Sequence, residues 1–74
     1  MRSIIQTSKD GKKWEDDLSQ TFNNKNQLKH WFDRRFEASS SYDWRVGFLV
    51  RDRAGIYYRA IYLSTGKEVK YPIR

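Results

Sequence analysis

The sequence predicts one α+β domain over residues 1–74, ordered ββαβββ, with a twisted antiparallel sheet packing one face on a single helix. Three observations predict it. Leu28, Trp31, Phe32 and Phe36 repeat at helical spacing and make one apolar stripe. Apolar residues alternate along residues 43–51, 56–63 and 68–73, as they do in strands with one buried face. Turn signals at Asp10-Gly11, at residues 52–55 and at Thr65-Gly66 separate the strand-like runs.

The first two strands are expected at residues 2–8 and 12–18, around Asp10-Gly11. A two-residue loop sets Thr7 opposite Trp14 and Ile5 opposite Asp16. A three-residue loop with a bulge sets Gln6 opposite Trp14 and Ile4 opposite Asp16. Either register puts an acid beside an isoleucine, so the second strand is expected to end or bend near Asp16. The helix is expected over residues 24–38, with Asn24 and Gln27 as a weakened capping box. Lys29, His30, Asp33, Arg34 and Glu37 fall opposite the apolar stripe. Arg35 falls on the apolar side, and its long stem is expected to carry the guanidinium out past the sheet edge. Ser39-Ser40-Ser41 is expected to end the helix.

In the C-terminal half, residues 52–55 read as a type I turn with Gly55 in a bulge. That register sets Val50 beside Tyr58, Phe48 beside Ala60 and Val46 beside Tyr62. Thr65-Gly66 as a two-residue loop sets Tyr62 beside Val69, Ala60 beside Tyr71 and Tyr58 beside Ile73. The two turns, assigned independently, sort three strands onto the same two faces, and a one-residue slip would scramble them. The expected core therefore joins Trp44, Val46, Phe48, Val50, Tyr58, Ala60, Tyr62, Val69, Tyr71 and Ile73 to the helix stripe. A partly closed barrel is the alternative.

Composition fits a small domain that must build its core from large side chains. A chain of 74 residues buries only roughly 60% of its unfolded surface. Three Trp, five Tyr and four Phe meet that need, since each ring buries about 150–250 Å². There is no cysteine, which excludes disulfides and thiolate metal sites and favours a reducing compartment. Ile4-Ile5 is too short for a signal-peptide core, and no run approaches the roughly 20 apolar residues of a membrane span. A cytoplasmic protein without membrane contact is the expectation.

The formal net charge is +6, from 15 Lys and Arg against 9 Asp and Glu. Most of it lies in residues 44–74, where 7 basic side chains face 2 acidic ones. Such a field attracts polyanions. The sheet face away from the helix is expected to present Arg45, Gly47, Leu49, Arg51, Tyr57, Arg59, Ile61, Leu63, Glu68 and Lys70. Arginine and lysine neutralise phosphates and release counterions, and tyrosine or guanidinium planes stack on bases. Arg45, Arg51, Arg53, Tyr57, Arg59 and Lys70 are thus candidate nucleic-acid-binding residues, with Lys67 and Arg74 at the margin. No RNP-type motif, GXXG loop, zinc-finger spacing or helix-turn-helix pair accompanies them. A second basic cluster, Lys9, Lys12 and Lys13, surrounds the first turn.

The same face admits a protein-interaction reading. Leu49, Ile61 and Leu63 form an apolar patch suited to a homodimer, or to a regulator or inhibitor docking on a partner protein. A third reading, a metal-free ribonuclease built from Arg, Lys and Tyr, is compatible with the residue types but not demanded by their spacing. No other catalytic set stands out. His30 is the one histidine and lies among charged residues on the outer helix face. Glu15, Asp16 and Asp17 alternate along a strand and cannot converge on a cation. No glycine pattern cradles a phosphate, and neither metal nor cofactor is expected.

Overall fold

The computed structural model describes residues 2–36 and 42–70. Five strands and one helix follow in the order β1 (Ser3–Ser8), β2 (Glu15–Phe22), α1 (Lys25–Phe36), β3 (Tyr42–Val46), β4 (Leu49–Asp52) and β5 (Tyr57–Tyr62). The strands form one antiparallel sheet, β2-β1-β5-β4-β3. The α+β class, the single helix and its packing on one sheet face are as the sequence predicts.

β1 lies between β2 and β5, and both its faces are buried: Ile4 on one, Ser3 and Ile5 on the other. It pairs with β5 without a break from Ser3↔Tyr62 to Ser8↔Tyr57. β2 differs from both expected registers. Thr7 lies opposite Glu15 and Gln6 opposite Asp16, because the side chains of Ser8 and Asp10 organise a longer loop. A register shift beyond Asp17 then carries the strand on to Phe22, opposite Ser3. β2 is a polar outer strand, and only Phe22 at its end is buried in the core.

The helix starts as its sequence dictates. Asn24 Oδ1 accepts a hydrogen bond from the Gln27 amide at 2.9 Å, and Gln27 Oε1 accepts one from the Asn23 amide at 2.7 Å. Leu28, Phe32 and Phe36 enter the core, and Trp31 packs at its margin edge-on to Phe22. Ile5, Val50, Ala60 and Val69 meet them from the sheet, with Phe48 from the turn before β4. Arg35 ends on the surface, its guanidinium over the rings of Trp31, Phe36 and Tyr58 at 5.4–5.8 Å. Arg34 and Arg35 occupy the last turn, where cations favour the helix dipole. Residues 37–41, which include Glu37 and the expected serine exit, lie outside the described residues.

The main correction falls on residues 43–51, read from sequence as one strand. They form a hairpin, β3–β4, joined by Gly47 and Phe48, with Val46 opposite Leu49 and Arg45 opposite Val50. Gly47 has φ +61°, the conformation a two-residue loop with glycine first requires. The reversal changes which residues face the helix. Phe48 and Val50 remain buried, but Trp44 and Val46 are exposed and Arg45 turns toward the helix. A further irregularity next to Asp43 returns Tyr42 to the core side, opposite Asp52.

The following turn is as expected. Gly55 takes φ +89° and donates to the Asp52 carbonyl, while Asp52 Oδ1 accepts from the Ala54 and Ile56 amides. Val50↔Tyr58, Leu49↔Arg59 and Arg51↔Tyr57 are the resulting pairs. After β5, residues 63–66 turn the chain back and residues 67–70 run beside β5 where β4 has stopped. A single bridge joins Ile61 to Glu68, and the Val69 amide donates to the Ala60 carbonyl at 2.9 Å. The register is two residues from the expected one, so Val69 lies beside Ala60 and not Tyr62. A shift of two preserves facing, and Val69 still enters the core. The pairings expected of Tyr71 and Ile73 lie outside the described residues, as does Arg74.

Two stability predictions follow from this packing. Phe32→Ala should lose about 3–5 kcal/mol in a denaturant titration. Gly47→Ala should lose about 1–2 kcal/mol from left-handed strain alone, while the far-ultraviolet dichroism stays that of the folded chain. A Gly47→Ala variant as stable as the parent would contradict the tight β3–β4 turn.

Candidate functional site

The sheet face opposite the helix is built from alternate residues of the paired strands. Tyr57 and Arg59 come from β5, Leu49 and Arg51 from β4, and Trp44 and Val46 from β3. Gln6 comes from β1 and Asp16 from β2. Trp14, just before β2, leans over the same surface to reach Tyr57 and Arg59.

Three aromatic rings form a row. Tyr57 is central and meets Trp14 at 6.4 Å and Trp44 at 6.2 Å between centroids, with interplanar angles of 69° and 64°. Such edge-to-face contacts place the positive rim of one ring on the negative face of another. Trp44 is the outermost of the three, on an edge strand and 37% exposed. Gly11 of the first hairpin lies beside the row, where a β-carbon would stand 3.5 Å from the Tyr57 ring, an ordinary contact. Its φ of +77° is what calls for glycine.

Two guanidiniums alternate with the rings. Arg59 Cζ lies 4.0 Å from the Trp14 centroid, and Arg59 Nε donates to Gln6 Oε1 at 2.9 Å. Gln6 Nε2 in turn donates to Asp16 Oδ1 at 2.6 Å, so a polar chain crosses β5, β1 and β2. Arg51 lies 5.6 Å from the Tyr57 centroid and donates to Asp43 Oδ2 at 2.6 Å. The hydrogen bond that Arg51 donates to Asp43, and then its contact with Tyr57, raise its pKa above that of an ordinary arginine. Glu68 Oε2 stands 4.0 Å from Arg59 Nη1. Each arginine is thus oriented by a ring and by an oxygen partner, and an acid close by offsets part of its charge.

Free charge gathers at one end of this face. Ser8, Tyr57 and Arg51 pair side by side, so the β1–β2 and β4–β5 tips emerge together. Lys9, Lys12 and Lys13 occupy the first tip and Arg53 the second, all exposed. The acid of the first tip is engaged in its turn. Asp10 Oδ1 accepts from the Lys13 and Lys12 amides and from Ser8, which together lower its pKa.

Of the candidates read from sequence, Arg51, Tyr57 and Arg59 come together on this face. Arg53 sits at its charged end. Lys70 is exposed beside Glu68, in a shallow cleft against Val46 and Leu49. Arg45 is misplaced in the sequence reading. It lies on the helix face, where Nη2 donates to Asp33 at 3.0 Å, Nε donates to the Gly47 carbonyl at 3.0 Å, and Cζ covers Phe32 at 5.8 Å. It fastens β3 and its turn to α1. Ile61, assigned to an apolar docking patch with Leu49 and Leu63, is buried opposite Ile4; Leu63 is exposed and Leu49 half-buried. Trp14 and Trp44 were missed as site residues. The signal for Trp44 was Gly47-Phe48 read as a two-residue hairpin loop.

His30 is exposed and lines a groove of about 940 Å³ on the helix side, with Trp31, Arg34, Arg35 and the end of β2. Among the described residues no three His, Asp or Glu side chains converge as metal ligands, and no helix is long and apolar enough to cross a membrane.

The Asp33 carboxylate accepts from Lys29 at 2.8 Å as well as from Arg45. Lys29 first, then Arg45, hold its pKa below the ordinary value, against the opposing effect of burial. A carboxylate with a lowered folded pKa stabilises the fold above its unfolded value, near pH 4, and loses that contribution as pH falls through the folded value. Asp33→Asn should therefore be less stable than the parent at neutral pH, and the difference should shrink as pH falls through the lowered folded pKa of Asp33. Equal stability of the two proteins at pH 7 would contradict a fastening role for the Arg45–Asp33 pair.

No protein-family model, curated protein or solved structure matches this chain.

Proposed function

We propose that this chain is a non-enzymatic module that binds nucleic acid through the open sheet face. The observation that carries the reading is the row Trp14, Tyr57 and Trp44 interleaved with Arg59 and Arg51. Rings and guanidinium planes both stack on bases. Lys9, Lys12, Lys13 and Arg53 supply a positive entry at one end, consistent with a chain of net charge +6. Arg51, Tyr57 and Arg59 carry the contact, Arg53 and Lys70 extend it, and Arg45 serves the fold.

An electrophoretic shift series with labelled DNA and RNA at two salt concentrations tests this. Binding should weaken as salt rises, because bound phosphates release counterions. Arg59→Ala and Tyr57→Ala should each lose about fivefold or more in affinity. RNA incubated with the protein and a chelator should remain intact, whereas cleavage would favour the ribonuclease reading. A chain that shifts no nucleic acid at low salt sinks the proposal.

A second reading, a homodimer or a docking module for a protein partner, draws on one observation. Val46 is 71% exposed and lies directly opposite Leu49, beside Trp44. On that reading Val46→Glu would dissociate an assembly visible by sedimentation, while the thermal midpoint stays within a few degrees. A parent protein that sediments as a monomer at all concentrations speaks against the homodimer.

A further inference from the structure

The open face selects for unpaired strands, and we infer that its ligand is single-stranded nucleic acid, with Trp44 as the principal stacking platform. This rests on the nucleic-acid reading above and adds strandedness to it.

The first ground is reach. The major groove of a duplex is about 12 Å wide and admits a helix or a two-stranded ribbon. Here the rings lie on a broad sheet. Tyr57 is on its central strand, Trp44 on its edge and Trp14 beyond β1, with neighbouring strands about 4.8 Å apart. Tyr57 is half-buried in that surface, and Trp14 leans back over it onto Arg59. A face of this width does not enter the major groove, so its rings do not reach paired bases there. It can receive bases that swing out of a flexible strand.

The second ground is orientation. Neighbouring rings are turned 69° and 64° from one another, so bases lying on successive rings cannot stay stacked on each other. Bases engaging successive rings must be pulled apart from one another. An unpaired strand permits this at low cost, and a duplex does not.

The third ground is the charge placed on the row itself. Asp43 lies 2.6 Å from Arg51, and Glu68 stands 4.0 Å from Arg59. A surface that gripped duplex phosphates would need those guanidiniums free. Held 5.6 Å from the Tyr57 centroid and 4.0 Å from the Trp14 centroid, they occupy those two rings instead. Trp44 is the ring without a guanidinium over it among the described contacts and the most exposed of the three. Its π-face is therefore the one most open to a base.

The test uses the full chain, with ten-nucleotide DNA and RNA strands of mixed sequence and the blunt DNA duplex of the same sequence. Binding is followed by anisotropy and by tryptophan emission at about 50 and 200 mM salt. The expected result is at least tenfold tighter binding of a single strand than of the duplex, with quenched emission. Trp44→Ala should lose about tenfold in affinity at an unchanged thermal midpoint, and Trp44→Phe should recover most of it. Comparing the two strands identifies DNA or RNA as the preferred source.

Duplex binding within tenfold of the better strand overturns the inference and leaves the broader proposal standing. So does a folded Trp44→Ala variant that binds within twofold of the parent while Arg59→Ala loses affinity. If Trp44→Ala does not fold, the strand preference and the quenching of the parent decide the matter. Absence of binding to all three probes overturns the inference and the proposed function together.

Discussion

The pairing of β1 with β5 is the constraint on which the other features rest. Its register runs unbroken over the whole of both strands, from Ser3↔Tyr62 to Ser8↔Tyr57. It joins strands near the two ends of the described chain, with partners from 49 residues apart at Ser8↔Tyr57 to 59 at Ser3↔Tyr62, a non-local contact whose closure entropy a well-buried pair of strands offsets. The burial is there: Ile4 and Ile5 on β1, and Ala60 and Ile61 on β5, are almost wholly out of solvent. With β5 set beside β1, the two hairpins are carried to the same end of the sheet. Trp14 can then lie against Tyr57 and Arg59, far away in sequence.

The second determinant is the parity change at Gly47. A strand continuing from Tyr42 to Asp52 would alternate inward and outward without interruption. The two-residue turn folds it on itself, so residues before and after Gly47 belong to antiparallel partners. Trp44 is thereby released to the open face, and Arg45 is sent inward to Asp33 and the Phe32 ring. An arginine on the helix face is tolerated because its hydrogen bonds end on Asp33 and the Gly47 carbonyl, leaving its polar atoms satisfied. One glycine thus supplies the outermost ring of the candidate site and removes one of its supposed cations.

The electrostatic pattern is more local than the net charge suggests. Arg45, Arg51 and Arg59 each have a carboxylate within 4.0 Å and a ring beneath the guanidinium. The more exposed Arg51 and Arg59 pairs fix side-chain geometry more than they add stability, since exposed ion pairs contribute little. Cations without such acids are found at the hairpin tips. A polyanion approaching the protein would sense the tips first and meet an ordered array of planes behind them.

The sequence alone determined the class of fold, the helix with its apolar stripe and amide cap, and the Asp52–Gly55 turn. These depend on neighbours within four or five residues, where spacing and side-chain chemistry act directly. It also determined that Arg51, Tyr57, Leu49 and Arg59 share a face, because that turn fixes its own register. Only the tertiary structure decided the length of the first hairpin loop, the split of residues 43–51 into β3 and β4, and the path of residues 67–70. Phe48 and Val50 are apolar and buried on either reading, so periodicity could not tell a continuous strand from a hairpin there. Whether Trp44 or Arg45 faces the helix was decided by the reversal at Gly47, which brings Arg45 to Asp33 on α1, 12 residues away in sequence.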